Sequence, residues 1–149
     1  MLSHTELRDA LDALCERFGL AELYVFGSRA AEIAARARGT APQPSDPATA
    51  SADVDVGVRP RLGRRLDVDV IIAFTGALET LFDVGRVDLV LLPPAPPFLA
   101  VDVIRGELLY CADADDQAEY ELYVLRRAGD LAPFQRARHE MVLSRWTEA

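Results

Sequence analysis

Three aspartates carry the strongest chemical signal in the chain. Asp53 and Asp55 flank Val54 in the run Ser51-Ala52-Asp53-Val54-Asp55-Val56-Gly57-Val58, whose alternating valines predict a β-strand with both carboxylates on one face. Paired carboxylates repel unless something positive lies between them, and a hard divalent cation such as Mg²⁺, completed by water and substrate phosphates, suits the pair. A solvated strand edge would also accommodate Asp-x-Asp on its own. Asp88 strengthens the case because it interrupts Val87-Asp88-Leu89-Val90-Leu91-Leu92, a near-continuous apolar strand in which a charge is costly unless paired or metal-bound. If the two strands are neighbours, three carboxylates converge. That is enough to hold two metal ions, which would activate an attacking hydroxyl and neutralise a triphosphate during in-line transfer.

A second group suits phosphate. Leu23-Tyr24-Val25-Phe26 is rich in strand formers, Gly27-Ser28 interrupts it, and an alanine- and arginine-rich run follows. Glycine lets the backbone turn sharply and approach a ligand, and the exposed amides of a helix N-terminus, joined by the Ser28 hydroxyl, suit an anion. An ordinary strand-to-helix turn with Ser28 as N-cap is the competing reading.

Other residues read as structural. Asp67-Val68-Asp69 repeats Asp-x-Asp, yet Val68, Ile71, Ile72, Thr75, Leu78, Leu81 and Phe82 recur at helical spacing, so these aspartates belong to the start of a helix crossing between the two acidic strands. His4 and His139 stand at no ligand spacing and read as solvated helix residues. Cys15 and Cys111 belong to no Cys-x-x-Cys or Cys-His cluster and read as reduced core residues.

The elements that must position the acidic residues follow from the remaining pattern. Ser3 or Thr5 caps a first helix carrying Leu7, Leu11, Leu14 and Phe18 and stopped by Gly19. Arg29 to Arg38 is predicted as a second helix ending at Gly39. Thr40 to Ala50 holds three prolines and reads as an irregular mobile loop, a spacer in preference to a lid or partner contact. Prolines 93, 94, 96 and 97 end the Asp88 strand before a helix over Phe98 to Ile104, and Leu108 to Cys111 suits a short edge strand. Asp115 to Arg127 predicts a helix stopped by Gly129, with Pro133 opening another. Tyr120, Tyr123, Phe134 and Trp146 are assigned to core packing in preference to a partner face. The fold class is α/β (α+β): a small mixed sheet packed with helices, one domain over 1–149 with a helical C-terminal segment from about 115.

At 149 residues, half of them hydrophobic, the chain has material for one sizeable core. A net charge of −8 opposes an extended phosphate backbone. The arginine-rich pieces at 59–65 and 126–138 lack the aromatic interleaving of nucleic-acid binders, so direct nucleic-acid contact and template-directed polymerisation are discounted and a basic protein partner is favoured. With no signal-like N-terminus and no membrane-spanning apolar stretch, the expected location is the cytoplasm, without membrane attachment.

Strand, Gly27-Ser28, Asp53-Val54-Asp55 on the next strand and Asp88 on a later one together resemble the DNA polymerase beta-type nucleotidyltransferase superfamily. Within it the chain is most similar to the minimal nucleotidyltransferases (MNT), the antitoxins of HEPN/MNT toxin–antitoxin modules, over the stretch from the first helix to at least Tyr110. The resemblance implies the polymerase beta-type fold, nucleotide phosphates held by Gly27 and Ser28 with Arg29 beside them, and metal held by Asp53, Asp55 and Asp88. Asp88 would also help deprotonate the acceptor. It further implies ATP as substrate, a pair of Mg²⁺ ions as cofactor, and a HEPN-domain RNase toxin as partner, silenced by AMP transfer to a tyrosine within a hetero-oligomer. Two features depart from the family pattern: 24 residues separate Ser28 from Asp53, and Ala52 stands between Ser51 and Asp53.

The alternatives are an antitoxin acting by binding alone, which that insertion keeps open, and a small-molecule nucleotidyltransferase of the aminoglycoside type, whose resemblers usually carry an additional substrate domain. Neither histidine follows an arginine at the Arg-x4–6-His spacing of HEPN RNases. The chain therefore resembles the antitoxin and not the toxin.

Overall fold

Local sequence chemistry starts and stops each helix. The computed structural model describes residues 2–40 and 51–147. Helix α1 (His4–Arg17) begins at a reciprocal capping box: the Glu6 amide donates to Ser3 Oγ at 3.2 Å and the Ser3 amide to Glu6 Oε2 at 2.8 Å. Leu7, Leu11 and Cys15 form its buried stripe. Strand β1 (Leu20–Phe26) leads into α2 (Ala30–Arg38), which Gly39 closes in the left-handed conformation. After β2 (Val54–Pro60), Asp67 caps α3 (Val68–Phe82) by accepting the Val70 amide at 2.9 Å, with Asp69 in the first turn, as the helical spacing predicts. Strand β3 (Val87–Leu91), helix α4 (Pro97–Ile104) and strand β4 (Glu107–Cys111) follow. Most of the segment read as an irregular loop, residues 41–50, lies outside the described residues.

The sheet order is β3-β2-β1-β4, with β1 antiparallel to both neighbours and β2 parallel to β3. The parallel pair requires a crossover, and α3 supplies it. The mixed sheet and its helices match the expected α/β class. Alternation along the strands then divides the interior in two. Leu23, Val25, Val54, Val56, Val58, Val87 and Leu89 pack towards α1, α2 and α3, whereas Tyr24, Val90 and Leu92 pack towards α4 and the last helix, α5 (Ala114–Thr147). Asp55 and Asp88 therefore belong to the α4/α5 face, alternating along their strands with the valines that anchor the opposite one.

Helix α5 runs unbroken over Ala114–Thr147, 34 residues with Pro133 inside it. This corrects the expectation of a stop at Gly129 and a new helix near Pro133. Proline lacks an amide and crowds the carbonyl four residues earlier. That carbonyl belongs to Gly129, an exposed residue without a side chain, so water reaches the freed acceptor and the backbone adjusts without clash. Val124 and Ala128 are the buried residues of this helix. Tyr120 packs against the second core cluster, but Tyr123, Phe134 and Trp146 are exposed, the last two by 74% and 78%. The core assignment thus fails for three of the four aromatics. The apolar pattern continues along a half of α5 that extends past the sheet it would need to pack on.

Cys15 and Cys111 are both free; Cys15 is buried and Cys111 partly exposed. His4 and His139 are exposed.

Candidate active site

The end of β1 and the beginnings of β2 and β3 meet at one edge of the molecule. Phe26, the last residue of β1, is the antiparallel partner of Asp55, and Asp55 is the parallel partner of Asp88. Neighbours in register direct their side chains to the same face, so these two carboxylates are juxtaposed. Asp53, two residues before Asp55, joins them from the approach to β2. The strands thus bring Asp53, Asp55 and Asp88 to one end of the sheet.

Gly27 closes the site from the β1 side. Its φ of +76° is one that L side chains rarely adopt, and a Cβ there would collide with the Asp55 carboxylate. Both the turn and the close approach require glycine. Ser28 is exposed in the turn, and the N-cap of α2 is Arg29 with no side-chain cap bond. Ser28 therefore does not cap the helix, which leaves the first-turn amides without a side-chain acceptor from the N-cap.

Arg29 is committed to partners within the protein. Its guanidinium is nearly buried, donates to both Glu32 oxygens at 2.9 and 3.0 Å, and donates to the Ala52 carbonyl at 3.1 Å. The fork-to-carboxylate bond raises the pKa of Arg29 and lowers that of Glu32, so both stay charged. Arg29 ties the start of α2 to the residue before Asp53. The i, i+3 spacing of Arg29 and Glu32 was the available signal for their ion pair, and none announced the bond to Ala52.

A further residue enters that the carboxylate pattern did not single out. Arg86 Nε lies 3.1 Å from Asp88 Oδ1 and 3.6 Å from Asp53 Oδ2. Its backbone carbonyl accepts the Val54 amide at 3.0 Å, extending the β2–β3 ladder by one residue. Arg86 precedes Asp88 by two positions, and the strand period alone places both on one face.

Electrostatically the site is short of positive charge at its centre. Burial raises the pKa of Asp55, and the negative charges of Asp88 and then Asp53 raise it further. Among the described residues no ion pair reaches Asp55, whereas Asp53 and Asp88 share Arg86. Three hard carboxylates on adjoining strands are the donor chemistry a Mg²⁺ ion takes. Among the described residues, however, no three carboxylate, imidazole or thiol groups form an assembled ligand set. The donor types fit a divalent cation, and a guanidinium stands between two of them.

No protein-family model matches the sequence, and no curated protein matches it. Solved structures do match. A chain of the crystal structure of a toxin–antitoxin with AMP-PNP has 20% identity and a TM-score of 0.65, the alignment covering 91% of this chain and 98% of that one. A chain from the complex of a tri-AMPylated Shewanella oneidensis HEPN toxin with MNT antitoxin has 18% identity and a TM-score of 0.65, covering 94% and 98%. A chain from the MntA-HepT toxin–antitoxin crystal structure has 18% identity and a TM-score of 0.64, covering 92% and 97%.

Proposed function

This chain has the minimal nucleotidyltransferase fold, and on that premise we propose that it is an antitoxin that transfers AMP from ATP to a tyrosine of a HEPN-type toxin. The observation that carries the proposal is the in-register pairing of Asp55 with Asp88 beside the Gly27 turn. It supports reading the Gly27 turn as anion-binding and the neighbouring carboxylates as cation-binding, the two halves that nucleotidyl transfer requires. The matched chains come from toxin–antitoxin structures that include AMP-PNP and an AMPylated HEPN toxin, and they supply the class of donor and acceptor.

Each residue then has a task. Gly27 and Ser28 bring backbone amides and a hydroxyl to the triphosphate at the start of α2, where the helix dipole favours negative charge. Arg29 acts at one remove, by fixing Ala52 and hence the approach of Asp53. Asp53, Asp55 and Asp88 would hold Mg²⁺. Bound there, the cation supplies charge neutralisation along the triphosphate and a more acidic acceptor hydroxyl. Asp88, at the edge strand of the sheet and about half exposed, would accept the proton of an incoming tyrosine. Among the described residues no helix is long and apolar enough to cross a membrane, and we assign the pair to the cytoplasm.

The test is intact-mass spectrometry of a HEPN-type partner after incubation with this protein, ATP and Mg²⁺, beside the Asp53→Asn/Asp55→Asn variant. The expected outcome is a gain of AMP that the variant abolishes. A stable complex with no mass gain would replace this reading with a second one, neutralisation by contact alone, which the guanidinium between Asp53 and Asp88 favours.

A further inference from the structure

Arg86 joins a fixed backbone to an exchangeable side chain. The β2–β3 ladder holds its carbonyl against Val54, so the residue cannot leave the site. Its side chain is 69% exposed and bridges two carboxylates that are themselves about half exposed. Ion pairs of that exposure hold weakly. A divalent cation bound by the same oxygens would repel the guanidinium, and a phosphate would attract it, because the planar fork matches phosphate geometry.

We propose that Arg86 is the site's built-in counter-cation, lying between Asp53 and Asp88 until a nucleoside triphosphate draws it off and so admits the divalent metal. This deepens the reading of the three aspartates as metal carboxylates and rests on it. Metal and guanidinium compete for one place, whereas nucleotide and guanidinium attract each other. Nucleotide binding therefore removes the competitor, and by linkage each ligand tightens the other. Arg86 is a positioning residue: it sets the order and coupling of loading and takes no part in bond breaking.

A single substitution then has two effects of opposite sign. Arg86→Gln is expected to bind Mn²⁺ alone about three- to tenfold more tightly than the unaltered protein, the factor that losing two exposed ion pairs implies. In EDTA the same variant is expected to bind a non-hydrolysable ATP analogue more weakly, because the phosphates lose a guanidinium. Free Mn²⁺ measured by electron paramagnetic resonance gives the first quantity, and calorimetric titration gives the second. A general loss of site structure would weaken both, and that result overturns the inference. Equal Mn²⁺ affinity in the two proteins, with binding lost in Asp53→Asn, also overturns it but leaves the metal reading intact. Absence of Mn²⁺ binding from every protein overturns the metal reading itself and the inference with it.

Discussion

Two arginines in this molecule each bridge a pair of carboxylates, and their surroundings make them opposites. Arg59 of β2 donates to both oxygens of Glu22 at 2.5 and 2.6 Å and to Asp116 of α5 at 2.6 Å, and its guanidinium lies 4.4 Å from the Tyr120 ring centre. Its side chain is 15% exposed and that of Glu22 only 1%. Arg86 makes longer contacts to Asp53 and Asp88 with 69% of its side chain in solvent. The same ingredients thus give a permanent clamp in one place and an exchangeable one in the other. What differs is desolvation: a buried ion that loses its partner has no water to turn to, and an exposed one does.

The largest expected effect comes from breaking the clamp. Arg59→Met leaves the buried Glu22 without its partner and removes the tie through Asp116 to the start of α5, at a cost of about 3 kcal/mol in urea denaturation. Donating to Glu22 raises the pKa of Arg59 still further above its high ordinary value, so the guanidinium holds its charge across the accessible range. If Arg59→Met lost no more stability than a surface substitution, the contrast between the arginines would collapse.

How far the sequence foretold these arrangements depends on the range of the forces involved. Element order, the caps of α1 and α3 and the shared face of Asp53 and Asp55 follow from periods of two and 3.6 and from neighbours three residues apart. Those signals are local. The Arg59–Glu22 clamp spans 37 residues in sequence, and neither residue type announces the other. The central place of β1 between β2 and β4 is likewise a tertiary fact, since strand patterns carry no partner label. Gly129 and Pro133 misled in the other direction: both are helix breakers in isolation, yet their coincidence four residues apart on an exposed face removes most of the penalty. Arg86 was legible by its spacing from Asp88. Its second partner Asp53, 33 residues away, was not.

An intermediate effect tests the crowding at the exchangeable site. Gly27→Ala must hold a positive φ and displace the Asp55 carboxylate, which costs about 1–2 kcal/mol of stability by thermal melting. AMP transfer should fall much further than stability, because Asp55 is the residue pushed aside. Loss of stability without loss of transfer would separate the turn from the carboxylates and leave Gly27 a merely conformational residue.

The smallest effect has the sharpest sign. Burial and two neighbouring carboxylates raise the folded-state pKa of Asp55, so between its unfolded and folded pKa values the native state binds more protons than the unfolded one. Stability therefore falls as pH rises through that window, and the full penalty is present above the folded pKa. Asp55→Asn removes the penalty. The metal-free variant should melt about 2 °C higher than the unaltered protein at pH 7, an effect kept small by partial exposure. The two should converge as the pH drops below the ordinary carboxylate range, where Asp55 is protonated in either state. Adding Mg²⁺ at pH 7 should reverse the order, since the unaltered protein gains a ligand that the variant holds poorly. At the Arg59 clamp the same comparison has the opposite sign. Glu22→Gln should destabilise at pH 7 with or without Mg²⁺, because there the positive charge is already built in and cannot be exchanged for another.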